Sequence, residues 1–462
     1  MSTWVTTLRS FDYTFALTLF GTSIGDRCCN FVLSESREVP ISFPKAAAYL
    51  ALAFASLNSF AIADNWAHWR GPTGNGTAAH ASPPIEWSDT KNVKWKVEVP
   101  GSGLSSPIIW DGRVFVTSGV PVAGEPASGL PTLEFKVFCF DRAEGHLLWQ
   151  KTAIVARPHQ KTHETNGFAS ASPCTDGEHV YAHFGSRGLY CYSMSGDLVW
   201  KRDDFGKMQT LFGFGEGSSP TIAGDIILVP WDHNGPSALY ALNKRTGETI
   251  WKTPRQETTE WSTPLVVEHA GRKQVILNGQ RAVRSYDLQT GKELWHCGGQ
   301  TLRPIASPVA LPGMVIVGSG YQGSYMAAFR LDGTGDIKGT DKVVWEINHD
   351  TPDVASPLLS STGRLYFHKA KTGLLSCVDA ATGKPHYFVR RIGLDNPYAS
   401  PVEAGGHIYL TARTGMTIVI ADSDQIKILA RNQLDETIGA TPAPVDNQLF
   451  IRGDKHLLCI AR

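Results

Sequence analysis

Residues 218–252 read SSPTIAGDIILVPWDHNGPSALYALNKRTGETIWK, and the fold follows from this stretch. SSPTIAG (218–224) makes a strand with Pro220 near its start, where a missing N–H does least harm to a ladder. Asp225–Pro230 (DIILVP) is a second, β-branched strand, reached through the tight turn Ala223-Gly224-Asp225. A polar loop leads to a third strand, Ala238–Leu242, and the turn KRTGE leads to a fourth, Thr249–Lys252, which carries Trp251. A sheet of four such short strands cannot bury both its faces alone, so neighbouring copies must cover them.

The copies are present. A small residue and a hydroxyl residue precede a proline at Ser105-Ser106-Pro107, Ala171-Ser172-Pro173, Ser218-Ser219-Pro220 and Ser262-Thr263-Pro264. The same pattern returns at Ala306-Ser307-Pro308, Ala355-Ser356-Pro357, Ala399-Ser400-Pro401 and Ala440-Thr441-Pro442. A period of about 44 residues sustained along a chain signals a repeat architecture. FCFDRAEGHLLW (Phe138–Trp149), SYDLQTGKELW (Ser285–Trp295) and CVDAATGKPHY (Cys377–Tyr387) repeat the third strand and its turn. Asp or Asn opens that turn and Gly supplies a positive φ. Trp149, Trp200, Trp251, Trp295 and Trp345, with Tyr387 in their place once, are read as plugs in the gap to the next blade.

The last unit, Ala440–Ile460, supplies three strands, and Val93–Val99 (VKWKVEV) has Trp95 in the right place to supply the fourth. The expected fold is therefore all-β: an eight-bladed β-propeller of four-stranded antiparallel blades, closed by an N-terminal strand. Residues 93–462 are expected to form the ring and residues 64–92 an N-terminal arm.

Lys and Arg together number 43, as do Asp and Glu, and no basic run occurs, which argues against nucleic acid as a partner. No apolar run is long enough for a transmembrane helix. Lys45 precedes AAAYLALAFASLNSFAIA (Ala46–Ala63), whose Ala61-Ile62-Ala63 exit makes it a secretory signal peptide. The mature chain is expected to begin at Asp64, as a bacterial periplasmic or secreted monomer, and residues 1–44 are read as a start codon placed too early. Six cysteines follow the signal, and Cys139, Cys191, Cys377 and Cys459 share one repeat position on different blades. Such positions lie too far apart to bridge, so free, buried thiols are expected.

Tyr286–Trp295 (YDLQTGKELW) resembles the repeat of the pyrroloquinoline-quinone (PQQ)-type propeller family, roughly A-x-D-x-x-T-G-x-x-x-W. One branch of that family contains quinoprotein dehydrogenases. Another is the propeller lipoprotein of the outer-membrane β-barrel assembly machinery, a scaffold. Trp66–Pro72 (WAHWRGP), HETNGFASASP (His163–Pro173) and GLYCYSMSGDLVW (Gly188–Trp200) are similar to exported propellers resembling the scaffold branch. The dehydrogenase resemblance implies adjacent cysteines against the quinone and a Ca²⁺ held by Glu, Asn and Asp. The one adjacent pair, Cys28-Cys29, falls before the mature chain, and no C-x-x-C-H haem signature occurs.

Candidate site residues come from the ring geometry. Glu216, Glu260 and Asp353 stand four residues before their repeat prolines and Arg303 five before its own, so they are expected to line one circle at the channel mouth. Loops from second to third strands, opening on the same face, should gather Trp231, Asp232, His233, Asn234 and Arg281. Tyr321, Gln322, His368, Lys369 and Arg413 are expected there from later blades. Aromatic and cationic mixtures of this kind suit recognition surfaces. His159 and His163 are read as a loop pair without a metal. The expected function is a binding or scaffold module for a protein or an extracellular polymer, with no cofactor and no catalytic residue. The alternatives are a PQQ- and Ca²⁺-dependent oxidoreductase using Glu216, Glu260 and Asp353, and a glycan-binding propeller using Trp231 and Tyr321.

Overall fold

The computed structural model describes residues 65–124 and 129–462. The signal peptide, the residues before it and Cys28-Cys29 lie outside the described residues. Among the described residues the strands form eight sheets, each with four antiparallel strands at its heart, arranged as the blades of a propeller.

Blade 3 shows why the repeat folds as it does. Its strands are Thr221–Ala223, Ile226–Trp231, Ser237–Asn243 and Thr249–Arg255, paired as a simple meander. The second strand runs through Trp231, and the fourth reaches Arg255, so both are longer than the apolar pattern marks. In the turn between the third and fourth strands, the Asn243 carboxamide oxygen accepts the N–H groups of Arg245 and Thr246 at 2.8 and 3.2 Å. Gly247 follows with φ +74°, and a Cβ there would lie 2.7 Å from the Trp200 ring of blade 2. Glycine is thus required twice over, by the backbone and by the indole lying on it.

The outer-strand tryptophans do plug the gaps between blades. The indole N–H of Trp95, Trp149, Trp200, Trp251 and Trp345 donates to a turn carbonyl of the next blade at 2.9–3.1 Å. Trp295 departs from the series because blade 5 carries an insertion before its fourth strand. Residues Gly335–Asp336 of that insertion add a parallel strand to blade 4 beside Trp295, whose buried indole N–H has no partner. Opposite the plugs, Cys139, Cys191, Cys377 and Cys459 pair in register with Trp149, Trp200, Tyr387 and Trp95. All six cysteines of the described residues are buried and unbridged. Burial pushes the thiols of Cys139, Cys191, Cys377 and Cys459 up to about 12, so they are inert core atoms.

The hydroxyl before each repeat proline accepts the same kind of bond in every blade. The N–H of Ser106 donates to Ser172 Oγ at 2.9 Å, Ser172 to Ser219 at 3.0 Å, and Ser219 to Thr263 at 3.1 Å. Thr263 donates to Ser307, Ser307 to Ser356, Ser356 to Ser400 and Ser400 to Thr441, all at 2.9–3.1 Å. Thr441 donates back to Ser106 at 3.1 Å. Eight buried amides, orphaned where the inner strands turn toward the axis, are satisfied by one closed circle of hydroxyls.

The ring closes as expected. Val93–Glu98 pairs antiparallel with His456–Ile460, Trp95 opposite Cys459 and Glu98 opposite His456. The residues before this strand plug the channel from the face opposite the second-to-third-strand loops. Trp66 exchanges two backbone bonds with Ile109 of blade 1 at 2.9 and 3.0 Å, and Ala67 accepts from Thr175 of blade 2 at 3.0 Å. The buried Arg70 guanidinium donates to the carbonyls of Pro357 and of Pro401, the latter at 3.2 Å. Asn75 exchanges two bonds with Ala310, and Thr77–Ala78 lies parallel to the inner strand of blade 7.

Candidate functional site

The segment leading into each inner strand is extended, so successive side chains point to opposite sides. Three residues before the repeat proline, the side chain faces the axis. These positions hold Trp261, Tyr398, Ile305, Val354, Leu104, Ser170, Gly217 and Gly439, one per blade, and all eight line a single central cavity of about 360 Å³. Four residues before the proline, the side chain faces into the blades. This one-residue alternation separates the sequence-derived acids from the channel.

Glu216 accepts the Ser186 N–H at 2.7 Å and the Ser186 hydroxyl, and it lies 4.0 Å from Arg187, inside the blade 2 loop. Gly185 makes room for it, since a Cβ there would overlap the carboxylate. Glu260 is buried between blades; one oxygen accepts the Gln280 N–H and the other has no partner. Burial, reinforced by the nearby Asp232 charge, holds its carboxyl well above the usual range. Asp353 is also buried and raised by burial, against the opposing pull of Arg303, whose Nη2 is 3.4 Å from one carboxylate oxygen. Of the four residues expected at the channel mouth, Arg303 alone lines the cavity.

The loop residues divide in the same way. Trp231 is core, packed on Phe205 at 5.3 Å, and Asp232 is buried in a two-oxygen pair with Arg255 Nε at 2.9 and 3.0 Å. His233 is buried with Nδ1 accepting the Gln209 N–H at 3.2 Å. His368 ends its strand fully inside, neither ring nitrogen has a partner, and burial lowers it to about 4. Asn234, Arg281 and Gln322 are exposed. Lys369 is half-buried in an ion pair with Asp350. Tyr321 lines the cavity, and Arg413 lies 5.1 Å from the centre of the Tyr398 ring.

The histidine pair takes separate partners. His159 Nδ1 accepts from Arg187 Nη1 at 3.0 Å, which leaves Nε2–H to donate to the Met208 carbonyl at 2.6 Å. His163 meets the edge of Phe214 at 5.0 Å and lines the cavity. Among the described residues, the one group of three metal-ligating side chains with ligand atoms within 4.8 Å of one another is Asp176, Glu178 and His179. Its Asp176 already holds Lys244 Nζ at 2.9 Å. The carboxylates of Glu216, Glu260 and Asp353 form no such group.

What the cavity does contain is aromatic, cationic and hydroxylic. Phe214, Trp261, Tyr321 and Tyr398 form walls, and Arg303 and Lys371 line it beside them. The Arg303 guanidinium stacks on Tyr321 at 3.5 Å from the ring centre. Hydroxyls of the circle, among them Ser106, Ser219 and Thr441, form the floor together with Trp69 of the N-terminal arm. Trp69 also borders a smaller cavity of about 80 Å³ next to Pro220, Pro264 and Pro308, so the arm stands between the two spaces. In the segments that carry the lining residues Phe214, Arg303 and Tyr321, three residues, Phe212, Arg303 and Gln322, adopt φ of +51°, +45° and +52°. Phe212 is 72% exposed there.

Residues 133–338 match the family model described as outer membrane protein assembly factor BamB. No curated protein matches the chain in sequence. Among solved structures, BamB from Moraxella catarrhalis is similar at 14% identity and TM-score 0.51, over 75% of this chain and 100% of that one. A europium-containing methanol dehydrogenase is similar at 10% identity and TM-score 0.58, over 85% of this chain and 90% of that one. Quinohemoprotein alcohol dehydrogenase from Comamonas testosteroni is similar at 10% identity and TM-score 0.59, over 86% and 80%. At these identities the structural likeness is one of fold, which many functions share. The chain is an eight-bladed propeller whose residues 133–338 resemble BamB.

Proposed function

We propose that this protein is an exported binding module that engages a protein or an extracellular polymer through the face of the ring bearing the second-to-third-strand loops. The single observation that carries this reading is the central cavity on that face, walled by aromatic side chains, flanked by cations and floored by Trp69. Concave sites with rigid aromatic anchors and a few placed polar groups are where binding energy concentrates. The match to the BamB family model favours a scaffold role outside the cytoplasm.

A PQQ- and Ca²⁺-dependent oxidoreductase is the second reading, favoured by the two dehydrogenase structures among the similar folds. Its assigned ligands do not fit the ion: Glu216 is committed to Ser186, Glu260 faces away from the channel, and Asp353 is paired with Arg303. No catalytic residue is assigned.

The test is to crosslink the protein in its source cells, recover the partner, and measure its affinity for wild type and for Trp261→Ala. At least tenfold weaker binding by the variant is expected. Equal affinity would place recognition elsewhere on the ring.

A further inference from the structure

We propose that the central cavity takes the terminal acidic sugar, a hexuronate, of a polysaccharide; this rests on reading the loop face as the binding face.

Charge comes first. The chain as a whole is balanced, 43 against 43, yet Arg303, Lys371 and Arg413 gather around this cavity. Lys371 Nζ and the Arg413 guanidinium lie 5.0 and 5.1 Å from the Tyr398 ring centre, with Asp353 as the charge partner of Lys371 and Asp454 that of Arg413. Arg303 touches one carboxylate, Asp353, and both Arg303 Nε and the second Asp353 oxygen are buried without a partner. Three cations, Arg303, Lys371 and Arg413, face two acids, Asp353 and Asp454, and an anionic ligand restores the balance.

The floor then selects the body that carries the charge. Ser106, Ser172, Ser219, Thr263, Ser400 and Thr441 line the cavity, and each hydroxyl oxygen already accepts a backbone N–H. Each therefore has its proton left to donate. A hydrocarbon ring would leave these donors facing carbon, at a cost for every one. A sugar offers hydroxyl and ring oxygens to them, and the C–H face of its ring suits the Trp261 wall. Because Trp69 closes the far side, the ligand enters end-on, which selects a chain terminus over an internal segment.

The experiment is calorimetric titration of the full chain with a glucuronate-terminated trisaccharide, its glucose-terminated counterpart and benzoate. The acidic trisaccharide is expected to bind at least tenfold tighter than either, and Lys371→Ala to weaken it about tenfold while the exposed Glu248→Gln leaves it unchanged. Near-ultraviolet circular dichroism checks that Lys371→Ala keeps its fold. Equal binding of the neutral sugar, equal binding of benzoate, no binding of any sugar, or an unaffected Lys371→Ala each overturns the proposal. A recovered partner that depends on Trp261 without uronate binding would sink this inference and leave the binding module standing.

Discussion

The backbone N–H of Thr441 donates to the hydroxyl oxygen of Ser106 at 3.1 Å, across 335 residues of chain. That bond joins blade 8 to blade 1 and completes the hydroxyl circle, while the Val93–Glu98 strand closes the same junction at the outer rim. The ring is thus latched at two radii, and the inner latch can be tested with one substitution.

Ser106→Ala removes the acceptor and leaves the Thr441 amide buried and unpaired. A loss of about 1–3 kcal/mol is expected in urea unfolding. Ser106→Thr keeps the acceptor and should lose less. Equal stability of Ser106→Ala and wild type would show that the circle is not a source of stability.

Two turn glycines separate backbone strain from packing. Gly224 has φ +63° with open space around a Cβ, whereas Gly247 has φ +74° and the Trp200 ring at 2.7 Å. Gly224→Ala should cost roughly 1 kcal/mol, the usual penalty of the left-handed region. Gly247→Ala should cost clearly more, because the Trp200 plug must also move. Matching thermal midpoints for the two variants would deny the plugs their role.

Acid sensitivity should come from buried imidazoles. Burial lowers His183 and His368 from 6.5 to about 4. Between these values the unfolded chain binds protons that the folded chain does not, so stability rises with pH from about 4 to 6.5 and falls on acidification. Each site contributes on the order of 1–3 kcal/mol to that slope. Glu260 works in the opposite sense: its raised carboxyl keeps its proton in the fold, so its contribution declines as pH rises above 4.5. Urea midpoints of His368→Leu at pH 4.5 and 7.5 should differ less than those of wild type. An unchanged difference would show that His368 does not carry the acid sensitivity.

Glu216 is expected to behave as a structural side chain. Glu216→Ala should destabilise the protein by about 1–3 kcal/mol through the orphaned Ser186 N–H, and leave any Ca²⁺ affinity unchanged. Calorimetry showing Ca²⁺ binding lost in this variant would restore the ligand role that the geometry denies it.

The repeat, the blade count, the closing strand, the tryptophan plugs and the unbridged cysteines were legible because each is a pattern in spacing and residue type. The site was less so. Periodicity aligns residues around the ring but does not say which side of an extended segment faces the axis. The acids at four before the proline drew attention by their charge, while the lining at three before it mixes Trp261 and Tyr398 with Gly217 and Gly439. Two aromatics at that same offset, 261 and 398, were the available signal. Trp231 and His368 looked like loop residues because their strands outlast the apolar run by one position. The arm from Trp66 to Ala78 has no repeat to betray it, and its function in sealing the channel emerges from contacts hundreds of residues away.

The most direct test of the central claim places a photo-crosslinking residue at Gln322, on the cavity rim, or at Glu248, in a third-to-fourth-strand turn on the opposite face. Illuminated in the source cells, the Gln322 position is expected to yield a partner adduct that Tyr398→Ala diminishes, and Glu248 to yield none. Adducts at Glu248 but not at Gln322 would contradict the assignment of the binding face.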